Sequence, residues 1–230
     1  MDDMQALCER LARLPAAVVS DVLYAMGLHH QVVASSIRAT EHGATMTGPA
    51  LCLRGREGPE PATKPKPVYE MDRHLQPGMV AVIASGNHRI GAVVGGNIGA
   101  AFVHRGCRGV LTDGGIRDAA EFAEMGLTIF STFITPLSNK GHWAMAEIDA
   151  PVTLPGQAGT DVSIATGDLI HADRDGVVVV PKAHAAQVIA DAEIVERIEA
   201  QIKARIEAGE DREAVFAVHD RFAHIRKVAG

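Results

Sequence analysis

Apolar residues recur with two different periods along the chain, which predicts both helices and strands. A helical spacing of three and four residues covers residues 16–26, with Pro15 suited to the first turn and Gly27 ending the helix. The same spacing over residues 182–209 predicts a long helix. Residues 79–84 are apolar without a break, which is typical of a strand covered on both faces.

The middle of the chain repeats a unit of one strand and one helix. Strands are predicted at residues 90–94, 109–112 and 128–134, and helices at residues 97–106 and 117–125. This alternation predicts a β-α-β-α-β core.

Turn-forming residues mark the regions on either side of this core. A strand at residues 44–55 is expected to be interrupted at residues 48–49, and residues 56–67 predict a surface loop because they are rich in proline, glycine and charge. Short strands separated by turns at residues 144–154 and 162–180 are expected to pair as a β-rich layer.

No internal repeat or convincing linker divides the 230 residues, and 47% of them are hydrophobic. A chain of this length and composition can bury a full core. We therefore predict a single α/β domain, with the core at residues 1–181 and a helical C-terminal extension at residues 182–230.

Charge and composition narrow the classes of function. The net charge is −6, and the 28 acidic and 22 basic residues are interspersed, so no basic surface for nucleic acid is expected. The apolar runs are too short to span a membrane, and residues 1–14 lack a signal pattern, so a cytoplasmic protein is expected. The three cysteines are widely spaced and are expected to be reduced thiols.

Two glycine-rich segments carry the strongest chemical signal. Residues 93–99 read Val-Val-Gly-Gly-Asn-Ile-Gly, and residues 112–118 read Thr-Asp-Gly-Gly-Ile-Arg-Asp. Each is expected to be a strand-to-helix turn, where backbone N–H groups can bind an anion. Arg117 and Asp118 can bind a carboxylate and a divalent metal, which predicts chemistry on a small acidic metabolite.

Structural interpretations of the same residues stay open. Asp118 is also a suitable helix cap, and the pair Gly95 and Gly96 also permits tight packing between a strand and a helix. Asp113 is better explained as a turn residue than as a ligand. No lysine has the apolar surroundings of a Schiff-base nucleophile, and the glycine spacing does not match a dinucleotide site.

The order of these motifs resembles the RraA-like family, which includes 4-hydroxy-4-methyl-2-oxoglutarate aldolases and regulators of ribonuclease activity. The resemblance covers about residues 10–210. The matching parts are the helix at residues 15–27, Gly48-Pro49-Ala50, Pro77-Gly78, Gly95-Gly96-Asn97, Arg-Gly-Cys-Arg-Gly-Val at 105–110, Asp-Gly-Gly-Ile-Arg-Asp at 113–118, Gly167-Asp168 and Ala-Asp-Arg-Asp-Gly-Val at 172–177.

The resemblance implies a swivelling β/β/α-type domain in a homotrimer or homohexamer, with active sites at the subunit boundaries. Its aldolase branch is similar to class II aldolases, because it uses Mg²⁺ or Mn²⁺ in the cleavage of pyruvate-like 2-keto acids. Many members also decarboxylate oxaloacetate. A metal-dependent carbon–carbon lyase is therefore the function that the resemblance implies.

The resemblance also assigns roles to individual residues. Arg117 would bind the keto-acid end of the substrate, and Asp118 would bind the metal. Glu199 from the long helix of a neighbouring subunit would complete the water shell of the metal, with Glu196 as the alternative. The substrate carboxylate would be held at the first turn of the helix, by Gly95, Gly96, Asn97, Ile98 and Gly99.

One position departs from the aldolase branch. Gly96 stands where that branch has an aspartate, so a carboxylate that holds water is missing, and Asn97 can replace only one of its hydrogen bonds. The departure leaves two alternatives to the aldolase. One is a non-catalytic regulator that binds a ribonuclease. The other is a related lyase or hydratase for another acid, with Asn97 and the Pro-Lys-Pro loop at residues 63–67 shaping the pocket.

Overall fold

The computed structural model describes residues 2–41, 44–62 and 66–228. Its helices are α1 Asp2–Leu11, α2 Ala16–Ala25, α3 Pro67–His74, α4 Gly96–His104, α5 Ala119–Met125, α6 Ala185–Glu207 and α7 Arg212–Ala217. Its strands are β1 Arg38–Ala39, β2 Met46–Glu57, β3 Val80–Ala84, β4 Ala92–Val94, β5 Gly109–Thr112, β6 Gly115–Ile116, β7 Thr128–Ser131, β8 Phe133–Ile134, β9 Trp143–Ile148, β10 Val152–Leu154, β11 Val162–Ile164, β12 Leu169–Asp173 and β13 Gly176–Val180.

The main sheet has the order β1-β7-β5-β3-β2-β12-β13, and β9 also pairs with β2. Strands β2, β3, β5 and β7 are parallel, and β12 is antiparallel to β2. The interruption predicted at residues 48–49 is wrong, because β2 runs through Pro49. The strand pairs with β12 up to Pro49 and with β3 from Ala50 onward, so the residue without an N–H lies where the strand changes partner.

A second, smaller parallel sheet has the order β4-β6-β8. Along the chain, each of its strands follows one of the main-sheet strands β3, β5 and β7. The strand predicted at residues 128–134 is therefore divided between two sheets, as β7 and β8. The prediction of a direct turn from the Gly114-Gly115 pair into a helix is also wrong, because Gly115 itself belongs to the short strand β6, which precedes α5.

Both faces of β3 are covered, as its unbroken apolar sequence predicts. Val80, Val82 and Ala84 belong to a core that includes the β10–β11 hairpin. Ala81 and Ile83 face the opposite core, to which α3, α4 and α5 contribute. A third core lies between α1, α2 and α6 and the strands β12 and β13.

The strands predicted within residues 144–180 are present, but they do not pair only with one another. β9, β12 and β13 extend the main sheet, whereas β10 and β11 form a separate hairpin. In the predicted loop at 56–67, β2 continues to Glu57 and α3 begins at Pro67. Residues 63–65, which include Pro65 of the Pro-Lys-Pro loop, lie outside the described residues.

The prediction of a single mixed α/β domain with a long C-terminal helix is confirmed. The helix α6 spans 23 residues and packs on α1 and α2, and Gly209 beyond it has φ +91°. The division at residues 181–182 stays a prediction. The three cysteines are free thiols, and burial raises the pKa of Cys52 to about 11. Within the described residues, no helix combines the length and apolar character needed to cross a bilayer.

His171 joins β12 to the segment between α1 and α2. Its side chain is buried, with Nε2 2.9 Å from the Leu14 carbonyl and Nδ1 2.9 Å from Thr47 Oγ1. A neutral ring satisfies both contacts, by donating to the carbonyl and accepting from the hydroxyl. Burial lowers the pKa of His171 below its usual value, although the bond to Leu14 opposes the shift.

Stability should therefore fall as the pH falls through the ordinary range of histidine. Below a pH of about 6.5 the unfolded chain takes up a proton that the folded ring resists, so protonation favours unfolding. We expect His171→Gln to have a shallower dependence of Tm on pH between 7 and 5 than the unmodified protein. Parallel curves, measured by thermal denaturation at matched ionic strength, would contradict this role. The lowered pKa of His88 should leave part of the slope in the variant.

Candidate active site

The small parallel sheet brings the two glycine-rich segments together. β4 and β6 are neighbours, with Val94 paired to Ile116, and the Arg117 N–H donates to the Val94 carbonyl at 3.0 Å. The carboxyl ends of adjacent parallel strands lie at the same edge of a sheet, which is a common position for ligand sites. Gly95, after β4, and Arg117 and Asp118, after β6, therefore lie side by side.

Asp118 connects the starts of two helices. It is the N-cap residue of α5 and has a left-handed backbone with φ 61°, but its side chain makes no cap bond to its own helix. Instead, Oδ2 accepts a hydrogen bond from the Gly96 N–H at 2.8 Å. The side chain thus caps the neighbouring helix α4, and Oδ1 makes no hydrogen bond to the described residues.

Arg117 lies beside this carboxylate and lines a cavity. Its Nε is 3.4 Å from Asp118 Oδ2, and 40% of its side chain is exposed. No bond joins the two terminal nitrogens of the guanidinium to any residue in the described ranges. The fork is therefore available to a ligand, and the ion pair lies at an open surface.

Glycine is needed at two positions of this segment because of close approach. A Cβ at Gly95 would lie 2.8 Å from Arg117 Nε and 2.9 Å from Asp118 Oδ2, so a side chain there would displace the pair. At Gly99 a Cβ would overlap the ring of Phe122, so this glycine allows α4 to pack closely on α5. Gly95 therefore shapes the site, whereas Gly99 sets the distance between the helices.

The backbone amides of the first turn of α4 are only partly available. Ile98 and Gly99 donate to the Gly95 carbonyl at 3.0 and 3.1 Å, and Gly96 donates to Asp118. Asn97 is the second residue of the helix, where an amide has no partner within the helix. The predicted binding of a carboxylate by residues 95–99 stays a prediction, with the Asn97 amide best placed for it.

The adjoining cavity has a volume of about 340 Å³. Besides Arg117 and the turn before α4, its lining includes Lys140, Tyr69, Asn139 and Trp143. The Trp143 indole is fixed by a 3.0 Å hydrogen bond to the Ser85 carbonyl. The charged residues of the lining are Arg117, the exposed Lys140 and Glu60, and the Glu60 carboxylate is paired with Lys66 at 2.7 Å.

The sequence did not indicate Lys140, Tyr69 or Trp143 as cavity residues. Lys140 belongs to the loop after β8, the third strand of the small sheet, and this loop lies beside those after β4 and β6. Each strand of the small sheet is followed by a turn, and this repeated pattern in the sequence could have predicted that Lys140 lies near the other two turns. Tyr69 comes from α3, a helix without a clear sequence signal.

Asp118 adjoins this cavity through Arg117 without being part of its lining, and Glu199 is not in the lining either. Glu199 lies on α6, its side chain is 18% exposed, and it forms an ion pair with Arg221. On the alternative residue, Glu196, the buried Oε2 has no hydrogen-bond partner in the described part of the chain. A contribution of either acid to the site of a neighbouring copy stays a prediction.

The fold is that of a mixed α/β protein with a cavity lined by Arg117 and Lys140, and comparison with known proteins specifies its family. A family model described as RraA-like, Aldolase/RraA, matches residues 16–179. The chain belongs to the RraA-like family, as the order of its motifs predicts.

Individual relatives agree with this assignment. A Burkholderia multivorans protein, named as an inferred 4-hydroxy-4-methyl-2-oxoglutarate aldolase, is 33% identical over 65% of this chain and 84% of its own length. Protein DlpA of Legionella pneumophila is 25% identical over 90% of this chain, which spans only 33% of the length of DlpA. The crystal structure of Streptomyces coelicolor RraAS2, an unusual member of the RNase ES inhibitor RraA family, has a TM-score of 0.77. It is 28% identical and matches 87% of this chain and 98% of its own.

The structural role of Asp118 can be separated from a chemical one by two substitutions. Asp118→Ala removes the cap of α4, so we expect the free energy of unfolding to fall by about 1–2 kcal/mol. Asp118→Asn keeps an oxygen for the Gly96 N–H and tolerates the left-handed backbone, so its Tm should stay near that of the unmodified protein. Equal Tm values for the two variants in thermal denaturation would show that the observed hydrogen bond does not stabilise the fold.

Proposed function

We propose that the protein is a divalent-metal-dependent carbon–carbon lyase for pyruvate-like 2-keto acids. The reaction is an aldol cleavage of the 4-hydroxy-4-methyl-2-oxoglutarate type, an oxaloacetate decarboxylation, or both. The observation that supports this most is the position of the free Arg117 fork in the cavity, beside an Asp118 carboxylate that is held in place by the Gly96 N–H. The names of the relatives support the same class of reaction.

Both reactions need positive charge at one oxygen. Cleaving the bond between the α and β carbons of a ketone, or releasing CO₂ from a β-keto acid, leaves an electron pair on the α carbon, and this pair is delocalised onto the ketone oxygen. A bound divalent metal would supply cationic stabilisation of this charge without a proton transfer. The Arg117 guanidinium supplies a fixed positive charge at the same place, and its fork can also orient the adjacent carboxylate of the substrate.

The side chains present fit a hard divalent cation. Mg²⁺ and Mn²⁺ prefer oxygen ligands, and Mg²⁺ is commonly held by one or two carboxylates while it keeps several waters. Asp118 offers Oδ1, which has no other partner in the described ranges, on a side chain that is 35% exposed. No group of three or more potential ligands among His, Cys, Asp and Glu is found in the described residues, and such a cation does not require one.

The two cations of the cavity lining, Arg117 and Lys140, support a substrate with two carboxylates, since the acid of the lining, Glu60, is paired with Lys66. The Asn97 amide, at the positive end of the nine-residue helix α4, and Arg117 would bind the 2-keto-acid end. Lys140 across the cavity would attract a distal carboxylate. Assembly into a trimer or hexamer belongs to the same proposal, with Glu199 or Glu196 of one copy approaching the site of the next.

A regulator that binds a ribonuclease is the second candidate. Two observations favour it, namely the similarity to RraAS2 and the absence of a side chain at Gly96. Capture of an RNA-degrading enzyme by the purified protein, together with no pyruvate release at any metal concentration, would favour this candidate over the lyase.

The lyase should release pyruvate in a metal-dependent reaction. Purified protein with Mg²⁺ or Mn²⁺ and oxaloacetate, or 4-hydroxy-4-methyl-2-oxoglutarate, is expected to form pyruvate, and EDTA should stop the reaction. Because free metal ions also decarboxylate oxaloacetate, the matched control is Asp118→Asn at the same metal concentration. No pyruvate above that control with either substrate would exclude the proposal.

Arg117→Ala should lower kcat/KM by about a hundredfold to a thousandfold, the usual effect of removing a preorganised donor at a developing negative charge. Arg117→Lys keeps the charge but loses the planar fork, so an intermediate rate is expected. Steady-state kinetics at saturating metal provides the measurement, with Tm as the check on folding. If Arg117→Ala retains more than about a tenth of the activity, Arg117 does not have this role.

A further inference from the structure

The space beside Gly96 is filled by another side chain. A Cβ at position 96 would overlap Glu121 Oε2, and it would lie 2.9 Å from Glu121 Cδ and 3.5 Å from Asp118 Cβ. The carboxylate of Glu121 therefore lies where a side chain at position 96 would begin, next to Asp118. Gly96 is compatible with this arrangement because it has no side chain, and its backbone is not in the left-handed region.

The local structure explains how Glu121 reaches this position. Glu121 lies in the first turn of α5, three residues after Asp118, and its N–H donates to the Asp118 carbonyl at 3.0 Å. Close packing of Gly99 against Phe122 holds α4 and α5 near each other at this level. A glutamate in a first turn usually extends into solvent or returns to its own N-cap, whereas this carboxylate lies over the start of the neighbouring helix.

Only one of the two carboxylates has a counter-charge among the described residues, and the other, on Glu121, belongs to a residue exposed to solvent. Arg117 Nε contacts Asp118, but Glu121 makes no hydrogen bond or ion pair with the described residues. Neighbouring like charges repel each other, and a cation bound between them would offset that repulsion. Oxygen atoms from two carboxylates, with waters, are the ligands that Mg²⁺ and Mn²⁺ commonly use.

We propose that Glu121 is the second carboxylate of the cation site and takes the place of the acid that position 96 lacks. The inference rests on the proposed function, because it concerns the same divalent metal. It assigns the missing charge to a residue on the adjacent helix. The aspartate at position 96 of the aldolase branch and Glu121 of this chain would then place a carboxylate in the same space, although position 96 lies on α4 and Glu121 on α5.

The test measures binding of Mn²⁺ alone, by calorimetry and by electron paramagnetic resonance, on the metal-free full chain. We expect Glu121→Gln and Glu121→Ala to weaken Mn²⁺ binding at least about tenfold. Glu124→Gln is the matched control, since it removes an exposed acid from the same helix one turn further on, and it should bind as the unmodified protein does.

A double substitution that moves the carboxylate from position 121 to position 96 provides the sharper test. Gly96→Asp combined with Glu121→Ala should recover Mn²⁺ affinity to within about threefold of the unmodified protein, because the new side chain enters the vacated space. Glu121→Gln binding within about twofold of the unmodified protein would overturn the inference, and a lower Tm in that variant would identify Glu121 as a helix-terminus acid only. A failure of the unmodified protein to bind millimolar Mn²⁺ would overturn it as well.

The two proposals fail in different ways. Mn²⁺ binding that depends on Glu121, without pyruvate release, would support the inference and exclude the lyase for the substrates tested. Metal-dependent pyruvate release with unchanged Mn²⁺ binding in Glu121→Gln would support the lyase and overturn the inference.

Discussion

The hydrogen bond from the Gly96 N–H to Asp118 Oδ2 is the interaction on which the arrangement of the site depends. It joins the first turn of one helix to the residue before the next, and it fixes one oxygen of the carboxylate while the other stays free. Because Arg117 precedes Asp118 directly, the same bond also restricts where the guanidinium can lie. A single contact of 2.8 Å thus couples helix capping to the geometry of the cavity.

Much of the fold could be predicted from the sequence because its periods are strong. The strand at residues 109–112 has the same bounds in the structure, and the 23-residue helix follows a regular apolar spacing. The two-residue strand β6 could not be predicted, since two residues carry no period. The position of Pro49 within β2 was also missed, because it depends on which strands lie on either side.

Only the part of the site that is formed by residues close together in the sequence could be predicted. Arg117 and Asp118 are adjacent, so their proximity to each other needs no tertiary information, and the glycines before α4 indicated the second turn. Glu121 looks like an ordinary solvated acid of a helix in the sequence. Its contact with Gly96 arises from the separation of two helices, which the packing of Gly99 against Phe122 determines.

The residues of the candidate site and the cavity come largely from the three segments that follow the strands of the small sheet. The first two, after β4 and β6, carry Gly96, Arg117 and Asp118, and they constrain each other through shared hydrogen bonds. The third, after β8, contributes Lys140 to the lining of the cavity. Substitutions in that third connection can change the charge and shape of the cavity while Arg117 and Asp118 keep their positions, so this scaffold allows the cavity to vary independently of the two helix starts.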